Sequence, residues 1–66
     1  MKIQVNNRPT ELPEGSSVAA LAEQLALPAQ GVAVAVNNRM VPRGGWQEQR
    51  LAEGDQVVII KAACGG

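Results

Sequence analysis

The stretch VAALAEQLAL, residues 18–27, decides how this chain folds. Val18, Leu21 and Leu25 recur at helical spacing and make one apolar stripe, with Ala22 beside them and Glu23 and Gln24 turned outward. Just ahead, Ser16 or Ser17 offers a side-chain oxygen to a backbone N–H that has no partner within the first helical turn. Pro28 closes the segment, since its ring cannot continue the hydrogen-bond ladder and it pushes the preceding residue away from helical angles. No other segment carries so clear a helical pattern, so the fold turns on what flanks this one.

Upstream, Ile3 and Val5 alternate with Lys2, Gln4 and Asn6, the period of a strand with one buried face. Asn6 and Asn7 tolerate the backbone of a tight turn, and residues 8–12 return as an edge strand in which Pro9 is tolerable. Residues 13–17, PEGSS, are a loop. Downstream of Gly31, VAVAV at residues 32–36 alternates large and small apolar side chains. Val32, Val34 and Val36 suit the helix side, and Ala33 and Ala35 leave the other side flat. Asn37 and Asn38 make a second turn, Met40 and Val41 a short strand, and Pro42 ends it. Residues 42–55 read as a long loop in which Trp46 is an anchor, and Glu53, Gly54 and Asp55 form a turn that launches QVVIIK, residues 56–61.

The order is therefore strand, strand, helix, strand, short strand, strand. A helix placed after a hairpin and before further strands is a crossover, so the sheet is mixed, and a single helix covers only one of its faces in a two-layer α+β domain. A ubiquitin-like β-grasp of four to five strands fits, with the first and last strands adjacent and parallel in the middle. A ferredoxin-like alternative needs a second helix, for which only the glycine-broken WQEQRLAEG is at hand. The domain spans residues 1–61 and residues 62–66 follow it as a flexible tail.

Composition narrows the function. A chain of 66 residues with one cysteine and no histidine has neither an internal disulfide nor a zinc-ligand set, so its thin core must hold alone. Six basic residues balance six acidic ones without clustering, and Trp46 is the only aromatic side chain, which argues against nucleic acid as a partner. No apolar run approaches a membrane span and the first residues lack a signal-peptide core, so a cytoplasmic protein is expected. The sequence has no GxSxG turn, no GxxxxGK[ST] and no GxGxxG after a strand, and the expectation is a protein that is not an enzyme and binds no cofactor or metal itself. Arg39, Arg43, Arg50 and Lys61 read as solvated charges.

What remains is the tail KAACGG. Without a Cβ, Gly65 and Gly66 fit an extended, narrow channel and leave the terminal carboxylate open to a reagent from either side. A carboxylate is inert at neutral pH and becomes an acyl donor only after activation, for instance by adenylation. Taken alone, two terminal glycines are equally consistent with a frayed end. The open face of the sheet, with Ala33 and Ala35 beside an alternating pair from the last strand, taken as Val58 and Ile60, is the expected partner-docking patch.

Read together, MKIQVNNRP, VAALAEQL, GVAVAVNNRMVPRGGW with its VPR and following Trp, and EGDQVVIIKAACGG make the whole chain similar to the ThiS family, the ubiquitin-like sulfur carriers of thiamine biosynthesis. The resemblance implies that an E1-like adenylyltransferase, using ATP and magnesium, converts the Gly66 carboxylate to an acyl-adenylate. Sulfur from a donor such as a cysteine desulfurase then leaves a thiocarboxylate, and thiazole synthase takes that sulfur. It also implies a carrier that is a monomer when free, binds no nucleic acid or membrane, and presents Gly66 through Gly65 and Cys64. Cys64 offers a persulfide or disulfide partner to a sulfur on Gly66, although a small apolar spacer is the simpler reading. The rival readings are the small sulfur-carrier subunit of molybdopterin synthase, a ubiquitin-like protein modifier, and a binding domain whose tail has no role.

Overall fold

Two copies of Val-Asn-Asn-Arg, at residues 5–8 and 36–39, build the hairpins of the fold. The computed structural model of the chain describes residues 1–28 and 31–61. In both copies the two asparagines take positive φ, 51° and 67° at Asn6 and Asn7, 50° and 70° at Asn37 and Asn38. Two central residues of positive φ make the turn whose twist matches that of the strands it joins, and asparagine is among the few side chains that tolerate it. The first turn joins β1 (Lys2–Val5) to β2 (Arg8–Glu11), and the second joins β3 (Val32–Val36) to β4 (Arg39–Val41), both pairs antiparallel.

The last strand, β5 (Gln56–Lys61), lies between the hairpins, parallel to β1 and antiparallel to β3, in a five-stranded sheet of order β2-β1-β5-β3-β4. Its launch is built from Glu53, Gly54 and Asp55, as the sequence suggests. Glu53 accepts a hydrogen bond from the Lys2 N–H at 3.0 Å. Gly54 takes φ of 85°, where a Cβ is strained, and its N–H donates to the Lys2 carbonyl at 2.8 Å. The Asp55 carboxylate accepts from the Ala52 N–H at 2.8 Å and from the Asn37 amide at 3.1 Å. The turn is thereby fastened to β1 and to the hairpin turn that follows β3.

Helix α1 (Val18–Gln24) covers one face of this sheet. Of the two candidate serines, Ser17 is the cap and accepts from the Ala20 N–H at 3.2 Å, while the Ser16 hydroxyl donates to the Pro13 carbonyl at 2.7 Å. The next donors are satisfied from the loop that follows β4: Val18 N–H reaches the Gln49 carbonyl at 2.9 Å and Ala19 N–H the Trp46 carbonyl at 3.1 Å. Three donors that a helix leaves unpaired at its start are thus accounted for. The loop also contains a 3-10 turn, Arg43–Gly45, that the sequence reading did not separate from its surroundings.

Trp46 fixes that loop. It is 6% exposed, its indole N–H donates to the Val41 carbonyl at 2.9 Å, and the Arg43 guanidinium lies 4.5 Å over its ring. Arg43 in turn donates to the Pro28 carbonyl at 3.1 Å and Arg50 to the Gly15 carbonyl at 3.1 Å, so both arginines have local structural partners. The core beneath consists of Ile3, Val5, Leu12, Val18, Leu21, Val34, Val36, Val41, Trp46, Leu51 and Val57, with Val32 and Ile59 packed against it.

The helix ends sooner than its periodicity predicts. Leu25 is the C-cap and is 38% exposed, so it leaves the apolar stripe to which the spacing assigns it. Ala26 takes φ of 55°, its N–H donates to the Glu23 carbonyl at 3.1 Å, and the Leu27 N–H donates to the Ala22 carbonyl at 3.0 Å. This pair of bonds is the Schellman arrangement, which stops a helix by a left-handed residue and turns Leu25 away from the sheet. Alanine carries a steric cost of about 1–2 kcal/mol at such a position, partly offset by the larger backbone freedom that glycine loses on folding. Ala26→Gly is therefore expected to stabilise the domain by about 0.5–1 kcal/mol, read as a higher urea midpoint at unchanged m-value. A lower midpoint would place no strain at Ala26.

Candidate functional site: an open sheet face beside the C-terminal strand

Neighbouring residues of β5 point to opposite sides of the sheet. Val57 is 1% exposed and lies under α1, whereas Val58 and Ile60 are 44% and 53% exposed on the side the helix does not cover. Across β3, Ala35 stands opposite Val58 and Ala33 opposite Ile60. One strand further, Met40 stands opposite Ala35 and is the most exposed of the large apolar side chains. Val58 and Ile60 thus form one ridge, Met40 another, and the two alanines the floor between them.

The rest of this face is uncharged close to the ridges. Gln4 and Gln56 are partners in register, and Gln4 faces Pro9 on its other side. The first charges on these rows are Lys2 and Glu11, paired with each other towards the far end of β1 and β2. Arg39 pairs with Val36, whose side chain is buried on the helix side. The apolar surface carries no charge of its own.

The sequence reading named Ala33, Ala35, Val58 and Ile60, and the fold sets all four on one face; it missed Met40. A signal for Met40 was present, because a two-residue Asn-Asn turn fixes the hairpin register and with it the pairing of Met40 to Ala35. Cys64, Gly65 and Gly66, the other residues singled out from the sequence, lie outside the described residues. Among the described residues no group of three or more His, Cys, Asp or Glu side chains is placed to hold a metal ion. No helix among them is long and apolar enough to cross a membrane.

The mixed five-stranded sheet, its single covering helix and its bare opposite face define a ubiquitin-like β-grasp protein. Within that class the chain belongs to the ThiS family, whose profile it matches over residues 3–66. It is 33% identical over 66 residues to the sulfur carrier protein ThiS of Escherichia coli K12, with 100% of both chains covered. The crystal structure of the thiamine biosynthesis protein ThiS from Geobacter metallireducens superposes with a TM-score of 0.86 at 26% identity, again covering 100% of both chains. The solution structure of a thiamine biosynthesis protein from the same organism gives a TM-score of 0.82 at 25% identity and covers 100% of this chain and 88% of the other.

The two faces of β5 predict opposite responses to one charge. Val57→Asp buries a carboxylate in the core cluster that includes Ile3, Val18, Leu21 and Val34 and is expected to cost at least about 3 kcal/mol, a large part of the stability of a domain of this size. Val58→Asp, one residue on, is expected to shift stability by no more than about 0.5–1 kcal/mol. Circular dichroism during urea titration of the two variants measures both.

Proposed function

We propose that this chain is a sulfur carrier of thiamine biosynthesis that works through its terminal carboxylate. The observation that carries the reading is the reach of the family match, which runs from residue 3 through residue 66 and so includes the Gly65-Gly66 end. The full-length likeness to the Escherichia coli carrier supports it, as does an open apolar face on the strand that leads into the tail.

In this reading an E1-like adenylyltransferase binds ATP and magnesium, and the Gly66 carboxylate attacks the α-phosphorus with loss of pyrophosphate. The resulting acyl-adenylate is a mixed anhydride with AMP as its leaving group. A persulfide formed by a donor such as a cysteine desulfurase attacks the acyl carbon, AMP departs, and thiol cleavage of the sulfur–sulfur bond leaves a thiocarboxylate on Gly66. Thiazole synthase accepts this sulfur and the carboxylate is restored. The nucleotide and metal belong to the partner, and Gly65 and Cys64 serve as slim links that admit Gly66 to each partner's channel.

Docking is assigned to Ala33, Ala35, Val58 and Ile60, joined by Met40. Ridges of exposed Val58, Ile60 and Met40 on an alanine floor suit an apolar partner surface, since burying them removes water from both sides without stranding a charge.

Intact-mass measurement after incubation with ATP, magnesium, a sulfur donor and the adenylyltransferase tests the chemistry. The expected gain is the difference between one sulfur and one oxygen atom, and it is absent when Gly66 is deleted. Val58→Asp is expected to remain folded and to lose that gain. No gain for the natural chain with an enzyme shown to charge another carrier would overturn the proposal.

A further inference from the structure

Strand β1 pairs with β5 only at Gln4 with Gln56 and at Val5 with Val57. The chain then turns away into β2, while β5 continues to Lys61 with β3 along its other flank. A strand supported from one side frays more readily than one held from both. At this place the Asn6 side chain takes over from the departed strand. Its Oδ1 accepts from the Ile59 N–H at 2.8 Å, and its Nδ2 donates to the Ile59 carbonyl at 3.3 Å. Its backbone N–H donates to the Val57 carbonyl at 2.9 Å. One carboxamide therefore supplies both the acceptor and the donor that a continued β1 would have offered to Ile59. Among the described residues, no hydrogen bond from this flank reaches past Ile59.

Ile59 stands between Val58 and Ile60, the ridge of the open face, and two residues before the end of β5. From this we infer that Asn6 is a positioning residue for partner docking: by holding Ile59 it keeps Val58 and Ile60 projecting together from an ordered strand, so that docking need not order them. The inference rests on the reading of this face as the docking surface. Fixing one backbone residue carries an entropic cost that corresponds to roughly a tenfold change in an equilibrium constant, and a loosened ridge passes that cost to binding.

The fold provides a matched comparison. Asn37 occupies the same tetrapeptide with nearly the same backbone angle, but its side chain engages the Gln56 N–H at 3.0 Å and Asp55 at 3.1 Å, at the start of β5 and before the ridge begins at Val58. Glycine tolerates positive φ, so Asn→Gly at either site keeps the turn and deletes only side-chain bonds.

The test compares Asn6→Gly, Asn37→Gly, Asn6→Asp and Val58→Asp by amide hydrogen exchange, thermal midpoint and steady-state adenylation by the activating enzyme with carrier as the varied substrate. Asn6→Gly is expected to speed exchange at the Ile59 amide by about tenfold or more and to raise the KM for carrier by about five- to tenfold at nearly unchanged kcat. Asn37→Gly is expected to speed exchange at Gln56 and to leave KM within about twofold. Asn6→Asp keeps the acceptor but sets a carboxylate oxygen against the Ile59 carbonyl, and it serves as the readout should the glycine variant not fold; its KM is expected to rise as well. Faster Ile59 exchange at unchanged KM, while Val58→Asp blocks processing, would overturn the clamp and leave the docking face standing. Normal processing of a folded Val58→Asp would remove the docking face itself. Equal losses of kcat in Asn6→Gly and Asn37→Gly, in step with their thermal midpoints, would reduce Asn6 to a structural role and overturn the inference.

Discussion

The parallel contact between β1 and β5 is the constraint on which the rest of the molecule depends. Parallel neighbours cannot be joined by a tight turn, so the chain between Val5 and Gln56 must cross from one side of this central pair to the other, laying β2 beside β1 and β3 and β4 beside β5 on the way. The returning chain has one helix with which to cover two faces. Helix α1 takes the side of Ile3, Val34 and Val57, and the opposite side, with Val58, Ile60 and Met40, is left bare. The bare apolar face is thus a consequence of topology before it is a matter of particular side chains.

The same constraint explains why the segment between β4 and β5 is ordered without being regular. It runs past the start of α1, where the first backbone N–H groups of the helix need partners from outside it. Gln49 and Trp46 give their carbonyls to the start of the helix, and Leu51 takes the Ser16 carbonyl at 2.8 Å. Trp46 contributes its large apolar ring to the core and its N–H to Val41, so the single aromatic side chain of the sequence joins loop, helix and edge strand. Removing the ring would disturb all three at once.

Much of this was legible in the residues. Two Asn-Asn pairs flanked by alternating apolar runs announced both hairpins, because few side chains accept the backbone those turns require. The order of elements then left little choice but a β-grasp. Other features were silent for identifiable reasons. The helical spacing that reached Leu25 could not show that Ala26 adopts a left-handed angle, since alanine is otherwise a strong helix former. In QVVIIK four consecutive residues are apolar, so alternation says nothing about which pair faces out. The pairing of Ala35 with Val58 and the burial of Val57 decide it. Met40 emerged only when the register of the second hairpin was applied. The double hydrogen bond from Asn6 to Ile59 joins residues far apart in the chain, and no local pattern encodes it.

The central place of β5 also governs how the protein is made. Contacts between the first and last strands have a large separation in sequence, which slows folding, and they do not exist until residues 56–61 have been synthesised. An incomplete chain lacking this stretch has no strand to which both hairpins can pair. The five-stranded sheet, and with it the bare face that the helix leaves open, therefore comes into existence only once β5 has been made.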